Sequence, residues 1–284
     1  MRIQFKYLVI YRNKEKYSIT KMCDFCYVSR SGYYDYINRM NKEDADEKLG
    51  ELIAQCQLIS KKTYGYRRVK IWLKREGFCI NHKKVLRIMN KYGLLSEIRR
   101  RRKYKQMGKS LHKYENILNR KFNADKANQK WVTDISYIHT KQGVLYLSII
   151  RDLYDKSVVS YEMGTEQTVN LVSKTIKRAK EQEKITTEVQ LHSDQGFQYT
   201  SHEYFKLTKE YGITPSMSRR GNCYDNAVAE NFFGILKSEC IHRNKPNSYD
   251  DARKLIDEYI FFYNHERIQL KTKLTPYEMR SQLL

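Results

Sequence analysis

From about residue 128 onward the apolar residues change period repeatedly, first two, then 3.6, then two again, and that alternation leaves few folds open. Residues 131–140, 144–152 and 157–164 read as three consecutive strands, with short turns at Gln142-Gly143 and Asp155-Lys156. A helix over 169–183, a strand over 188–192, a helix over 202–211 and a strand over 213–217 follow. This order predicts an α/β layer built on a mixed sheet.

The first 102 residues carry a different signature, helical spacing with few strand-like alternations. Residues 66–76 place Val69, Trp72 and Leu73 on one side and are stopped by Gly77. Asn81 is the expected N-cap of a second helix that runs to about Tyr92 and ends at Gly93. In it Val85, Ile88, Met89 and Tyr92 share one face, while Lys83, Lys84, Arg87 and Lys91 supply the basic surface. Helix, short turn and basic helix outline a helix-turn-helix whose second helix enters a DNA groove, although two ordinary helices with a solvated cationic face would look similar.

Charge separates the two zones. The chain of 284 residues has a formal net charge of +22. Residues 1–126 hold 32 Lys plus Arg against 12 Asp plus Glu, a net of +20, and the remainder is close to neutral. A polyanionic partner for the first part is the economical explanation. The run Arg99, Arg100, Arg101, Arg102, with Lys103 and Lys105, repels itself and is expected to be a linker lying along a phosphate backbone or a plain tether. The expected organisation is a helical segment over 1–44, a helix-turn-helix domain over 45–102, a basic linker over 103–127 and a catalytic core with a helical tail over 128–284. No stretch reaches the apolar length of a membrane span or signal peptide, so a cytoplasmic, DNA-associated protein is expected, with no membrane partner. Cys23 and Cys26 form a C-x-x-C pair without a second pair at zinc spacing, and the six cysteines are read as reduced thiols.

Three acids stand out in the second zone. Asp134 interrupts the apolar run Trp131-Val132-Thr133-Asp134-Ile135, where a charge is costly without a compensating cation. Asp194 follows a strand in His192-Ser193-Asp194-Gln195-Gly196, the place where open α/β sheets present functional groups. His192 is expected either to orient that loop or to be a satisfied core residue. Glu230 lies on a helix for which Asp225 is the expected cap, with Asn226, Glu230 and Lys237 at i, i+4 and i+11. The seven residues from Glu230 to Lys237 span about 10 Å, enough for the lysine to reach a neighbouring phosphate. Taken singly, each acid has an ordinary reading as a solvated side chain or a turn cap.

Taken together they resemble a family. Asp134 lies 60 places before Asp194, 35 positions separate Asp194 from Glu230, and Lys237 follows seven places later. With Tyr224-Asp225-Asn226-Ala227 and Tyr263-Asn264-His265-Glu266-Arg267, this strongly resembles the Asp-Asp-Glu signature of bacterial insertion-sequence transposases and retroviral integrases. Within these it is similar to the second-frame protein of the insertion-sequence-three group. The resemblance implies a ribonuclease-H-like core, with Asp134, Asp194 and Glu230 as catalytic and metal-binding residues. It also implies a homo-multimer acting on element ends and target DNA, and an upstream-frame partner joined as a fusion. Three acids suit two Mg²⁺ or Mn²⁺ ions, since hard cations take oxygen ligands. Lys237 is expected at the DNA, and Asn226 either at the DNA or against Glu230. A DNA-binding regulator and a plain metal nuclease of the same fold are the competing readings.

Overall fold

The computed structural model describes residues 3–40, 44–97, 114–184, 188–219 and 223–282. The basic run Arg99, Arg100, Arg101 and Arg102 lies outside the described residues. Two compact units divide at Leu52 and Ile53.

The first unit contains α1 (Ile3–Asn13), α2 (Ile19–Phe25) and α3 (Arg30–Met40). Tyr7, Ile10, Cys23 and Tyr33 form its core. Cys23 is therefore a packing residue, its thiol pushed up by burial and then by the nearby charge of Asp24. The next helix is α4 (Glu47–Ile59).

The second unit begins its helix pair with α5 (Tyr66–Arg75) and α6 (His82–Lys91). Gly77 (φ +87°) and Gly93 (φ +68°) take the left-handed conformation that ends each helix, which a side chain would resist. Asn81 caps α6 by accepting from the Lys83 amide at 2.9 Å. Val85, Ile88 and Met89 are fully buried, and Lys83, Lys84, Arg87 and Lys91 are exposed. Tyr92 departs from expectation: α6 ends one residue earlier, so Tyr92 leaves the apolar face and lies exposed beneath the Lys91 ammonium, 5.2 Å from its ring centre.

Five strands make the sheet: β1 (Lys130–Thr140), β2 (Gly143–Asp152), β3 (Val158–Gly164), β4 (Val189–Ser193) and β5 (Ile213–Met217), in the order β3-β2-β1-β4-β5. β1, β2 and β3 pair antiparallel, while β4 runs parallel to both β1 and β5. The sheet is thus mixed, as the order of elements predicts. Between the strands lie α7 (Val169–Glu183) and α8 (His202–Glu210). Trp131, Ile150, Val172, Ile176 and Leu191 join the sheet to α7 in the main core.

After β5 come a 3₁₀ turn at Cys223–Asn226, α9 (Ala227–Leu236), a π-helical turn at Lys237–Ile241, α10 (His242–Asn244), α11 (Tyr249–His265) and α12 (Pro276–Ser281). Capping boxes at Ser248/Asp251 and Thr275/Glu278 start the last two helices. The tail fastens the helix pair to the sheet. Arg75 of α5 grips Glu278 through two hydrogen bonds of 3.0 and 2.9 Å. Two residues on, Arg280 bonds Asp152 at 2.8 Å, Asp155 at 2.6 Å and also Glu183. Tyr64 donates to the Glu266 carbonyl at 2.9 Å and accepts from the Ile268 amide at 2.8 Å.

Candidate active site

The parallel pairing of β1 with β4 sets the first two acids. Val132 is level with His192 across the ladder, so Asp134, midway along β1, and Asp194, just past the end of β4, each lie two residues beyond that level on neighbouring strands. Helix α9 brings the third. Ala229 packs with Val132 and Leu153 in one apolar cluster, and Glu230 is the next residue on the helix.

The three carboxyls lie in one field. Burial pushes Asp134 well above the usual carboxylate range, and the charges of Asp194 and Glu230 push it further, against the Ile135 amide and the Lys237 ammonium. Burial likewise raises Asp194, opposed by the Gly196 amide, which donates to Asp194 Oδ1 at 2.9 Å. Burial and then the charge of Asp194 raise Glu230. Lys237 is lowered by burial, with Asp134 opposing, and its Nζ sits 4.5 Å from the ring centre of Tyr137. These are acids short of positive charge.

Among the described residues no group of three or more His, Cys, Asp or Glu side chains is drawn close enough to hold one metal ion. Two of the acids accept from nearby amides: Asp134 from Ile135 at 2.8 Å and Asp194 from Gly196 at 2.9 Å. The donor set fits a hard divalent cation, being all oxygen, half-buried and raised first by burial, with neighbouring acids adding to it at Asp134 and Glu230. A buried orphan agrees with this: Asn226 Oδ1, one helical turn before Glu230, has no hydrogen-bond partner among the described residues.

Asn226 itself is buried, 3% exposed, so the expected DNA contact is not on the surface in this conformation. Asp225 does not cap α9 either. Asn226 occupies the N-cap position and makes no side-chain capping bond. The Asp225 carboxylate is taken instead by Arg219, Arg120 and Asn116, charged and amide donors that outcompete a helix terminus.

His192 is fixed by two hydroxyls. Ser218 donates to the Ser193 carbonyl and so accepts from Nε2–H at 3.2 Å, which in a neutral ring leaves Nδ1 to accept from the Ser216 hydroxyl at 2.9 Å. The ring is thereby a neutral Nε2–H tautomer tying β4 to β5. Burial lowers it to about 4, with Asp225 opposing. Its folded pKa lies below the ordinary 6.5, so the unfolded chain binds the proton first and stability falls as pH drops from 6.5 toward 4. Urea midpoints of the wild type should therefore decline more steeply over that window than those of His192→Gln; parallel slopes would rule the buried neutral ring out.

Two further neighbours shape the site. Tyr199 is buried, contacts the Thr133 hydroxyl at 3.2 Å, and is raised first by burial and then by Asp134 and Asp194, which makes it a wall of the site. One tyrosine among 24 carries no signal in the sequence. Gly196 is the other. A methyl there would meet Asp194 Oδ1 at 2.9 Å and Gln198 Oε1 at 3.2 Å, so the glycine makes room for the Asp194 carboxylate. Gly196→Ala should keep the wild-type melting temperature yet slow strand joining by about 10-fold or more, because small displacements of reacting groups are costly. An undiminished rate would show that the Asp194 carboxylate tolerates displacement.

With the site in place, its relatives can be set beside it. The integrase core domain family matches residues 124–223, a second integrase core domain family matches 230–284, and an HTH-like domain family matches 43–102. InsK of insertion sequence element IS150 from Escherichia coli strain K12 is 37% identical over 270 residues, covering 95% of each chain. The transposase InsF of insertion sequence IS3A from the same strain is 32% identical over 262 residues, covering 90% of each. Among solved structures, the HTLV-2 integrase catalytic core domain in complex with magnesium gives a TM-score of 0.46 at 16% identity, covering 55% of this chain and 98% of that one. The chain belongs to the insertion-sequence transposases that carry an HTH-like domain and an integrase core. No described helix is long and apolar enough to cross a membrane.

Proposed function

We propose that this transposase cuts and rejoins the ends of its element at a single site whose catalytic residues are Asp134, Asp194 and Glu230. The register that sets Asp134 beside Asp194, with Glu230 in the same field, carries the reading. The three acids are the ligands of two magnesium or manganese ions. Bound there, such cations activate an attacking oxygen and offset charge on the leaving one.

The chain's own groups do the rest. Asp134, within β1, and Asp194, just past the end of β4, form the fixed side of the site, and Glu230 closes it from α9. Lys237, the first residue of the π-helical turn that follows α9 directly, faces a phosphate next to the scissile one; π turns often mark functional positions. Lys83, Lys84, Arg87 and Lys91 of α6 grip the DNA, joined by Arg99, Arg100, Arg101 and Arg102. Water first attacks the element end and releases a 3′ hydroxyl. That hydroxyl then attacks a phosphodiester of target DNA, so one phosphodiester is broken as another forms and no nucleotide hydrolysis is required. Pairing two ends calls for a homo-multimer, and the upstream-frame protein joins as a fusion partner.

End-labelled element DNA, incubated with the protein with and without Mg²⁺ and the upstream-frame partner, tests this. Joined products that need the ion support it. Nicks alone would leave a metal nuclease, and a shifted but uncut band a regulator.

A further inference from the structure

The start of α9 has no capping side chain, although the helix carries Glu230 in its first turn. Its body packs through Phe232, edge-on against Tyr263 at 4.9 Å, and within the first turn Arg151 donates to the Val228 carbonyl at 2.7 Å. What locates the chain just before it is one carboxylate. Asp225 is fully buried, and its two oxygens gather donors from two other stretches of chain. Oδ1 accepts from Arg120 Nε at 2.9 Å and Arg219 Nη2 at 3.5 Å. Oδ2 accepts from Asn116 Nδ2 at 2.8 Å, the Arg219 amide at 3.0 Å and Arg219 Nε at 3.1 Å. Asn116 and Arg120 belong to the segment before β1, and Arg219 follows β5 directly. Burial alone would raise this acid; the Arg219 and Arg120 donors override it and hold it at about 2.

We infer that Asp225 is a positioning residue for the transposition reaction, a charged pin that fastens the first turn of α9 to the segments before β1 and after β5 and so sets Glu230 against Asp134 and Asp194. The pin acts through Glu230 and touches no reacting atom. Without its charge, two guanidinium groups would face a neutral side chain and the first turn would loosen, while the packed body of the helix stayed in place. The inference rests on Glu230 being an ion ligand.

Strand joining by the full-length protein should be measured for Asp225→Asn at saturating DNA over a Mg²⁺ titration, with Glu230→Gln and Arg219→Gln in parallel. Loss of a residue that orients a metal ligand typically costs about 10- to 100-fold. Asp225→Asn should therefore need about 10-fold more Mg²⁺ for half-maximal rate and show a lower kcat, with KM for DNA unchanged. Arg219→Gln, which leaves the carboxylate its Arg120 partner, should shift the same ion dependence less, and it answers the question if Asp225→Asn does not fold. Wild-type ion dependence in both variants, or a change in KM alone, overturns the inference. If Glu230→Gln joins strands normally, the reading of the site has failed; if it is inactive while Asp225→Asn and Arg219→Gln behave as wild type, only the pin has failed.

Discussion

Asp194→Asn should bind element DNA as the wild type does and yet join no strands, with a rate lower by about 10³-fold or more. The substitution keeps the shape of the side chain and can still accept the Gly196 amide hydrogen, so the loop after β4 has no reason to move. What it removes is a negative charge beside Asp134. On the proposed reading DNA is held elsewhere, on the exposed basic face of α6, and a gel-shift assay should report no loss. Residual joining within a few-fold of wild type would remove Asp194 from the catalytic set.

The second large effect concerns stability. Just past Lys237, Glu239 points into the interior and meets Arg267, which bonds it twice, at 2.6 and 2.8 Å. Their side chains are 4% and 6% exposed, and Tyr259 donates a further bond of 2.7 Å. The pair joins the π turn to the residue stretch after α11. Arg267→Met leaves a carboxylate buried without its cation, and should lower unfolding free energy by about 3–5 kcal/mol, read as a shifted urea midpoint. Replacing the whole group, Glu239→Leu with Arg267→Met and Tyr259→Phe, should recover most of that, since no buried charge remains. A single variant as stable as wild type would mean that the pair is solvated in solution.

Much of this molecule is legible in its sequence because the signals are local. The strand periods at 131–140 and 213–217 and the helix over Val169–Glu183 follow from side-chain spacing, and Asn81, Gly77 and Gly93 mark helix ends by chemistry that acts within a few residues. The choice of the three acids rests on spacing along the chain, which is local information of another sort. What is not legible depends on partners far apart. The level pairing of Val132 with His192 is set by the sheet, and no residue near Asp134 announces it. Asp225 reads as a cap until Arg120, about a hundred residues earlier, is seen beside it. Arg75 and Glu278, like Arg280 and its three acids, look like surface charges in sequence and become ties only once the tail has folded back.

Strand joining by this protein requires that Asp134, Asp194 and Glu230 close around a shared ion. Iron(II) in place of the native ion, with ascorbate and peroxide, cuts the polypeptide wherever it is bound. Cuts near residues 134, 194 and 230, suppressed by excess Mg²⁺ and lost in Asp134→Asn, are the predicted pattern. Cleavage confined to other segments, or to just one of the three, would contradict it.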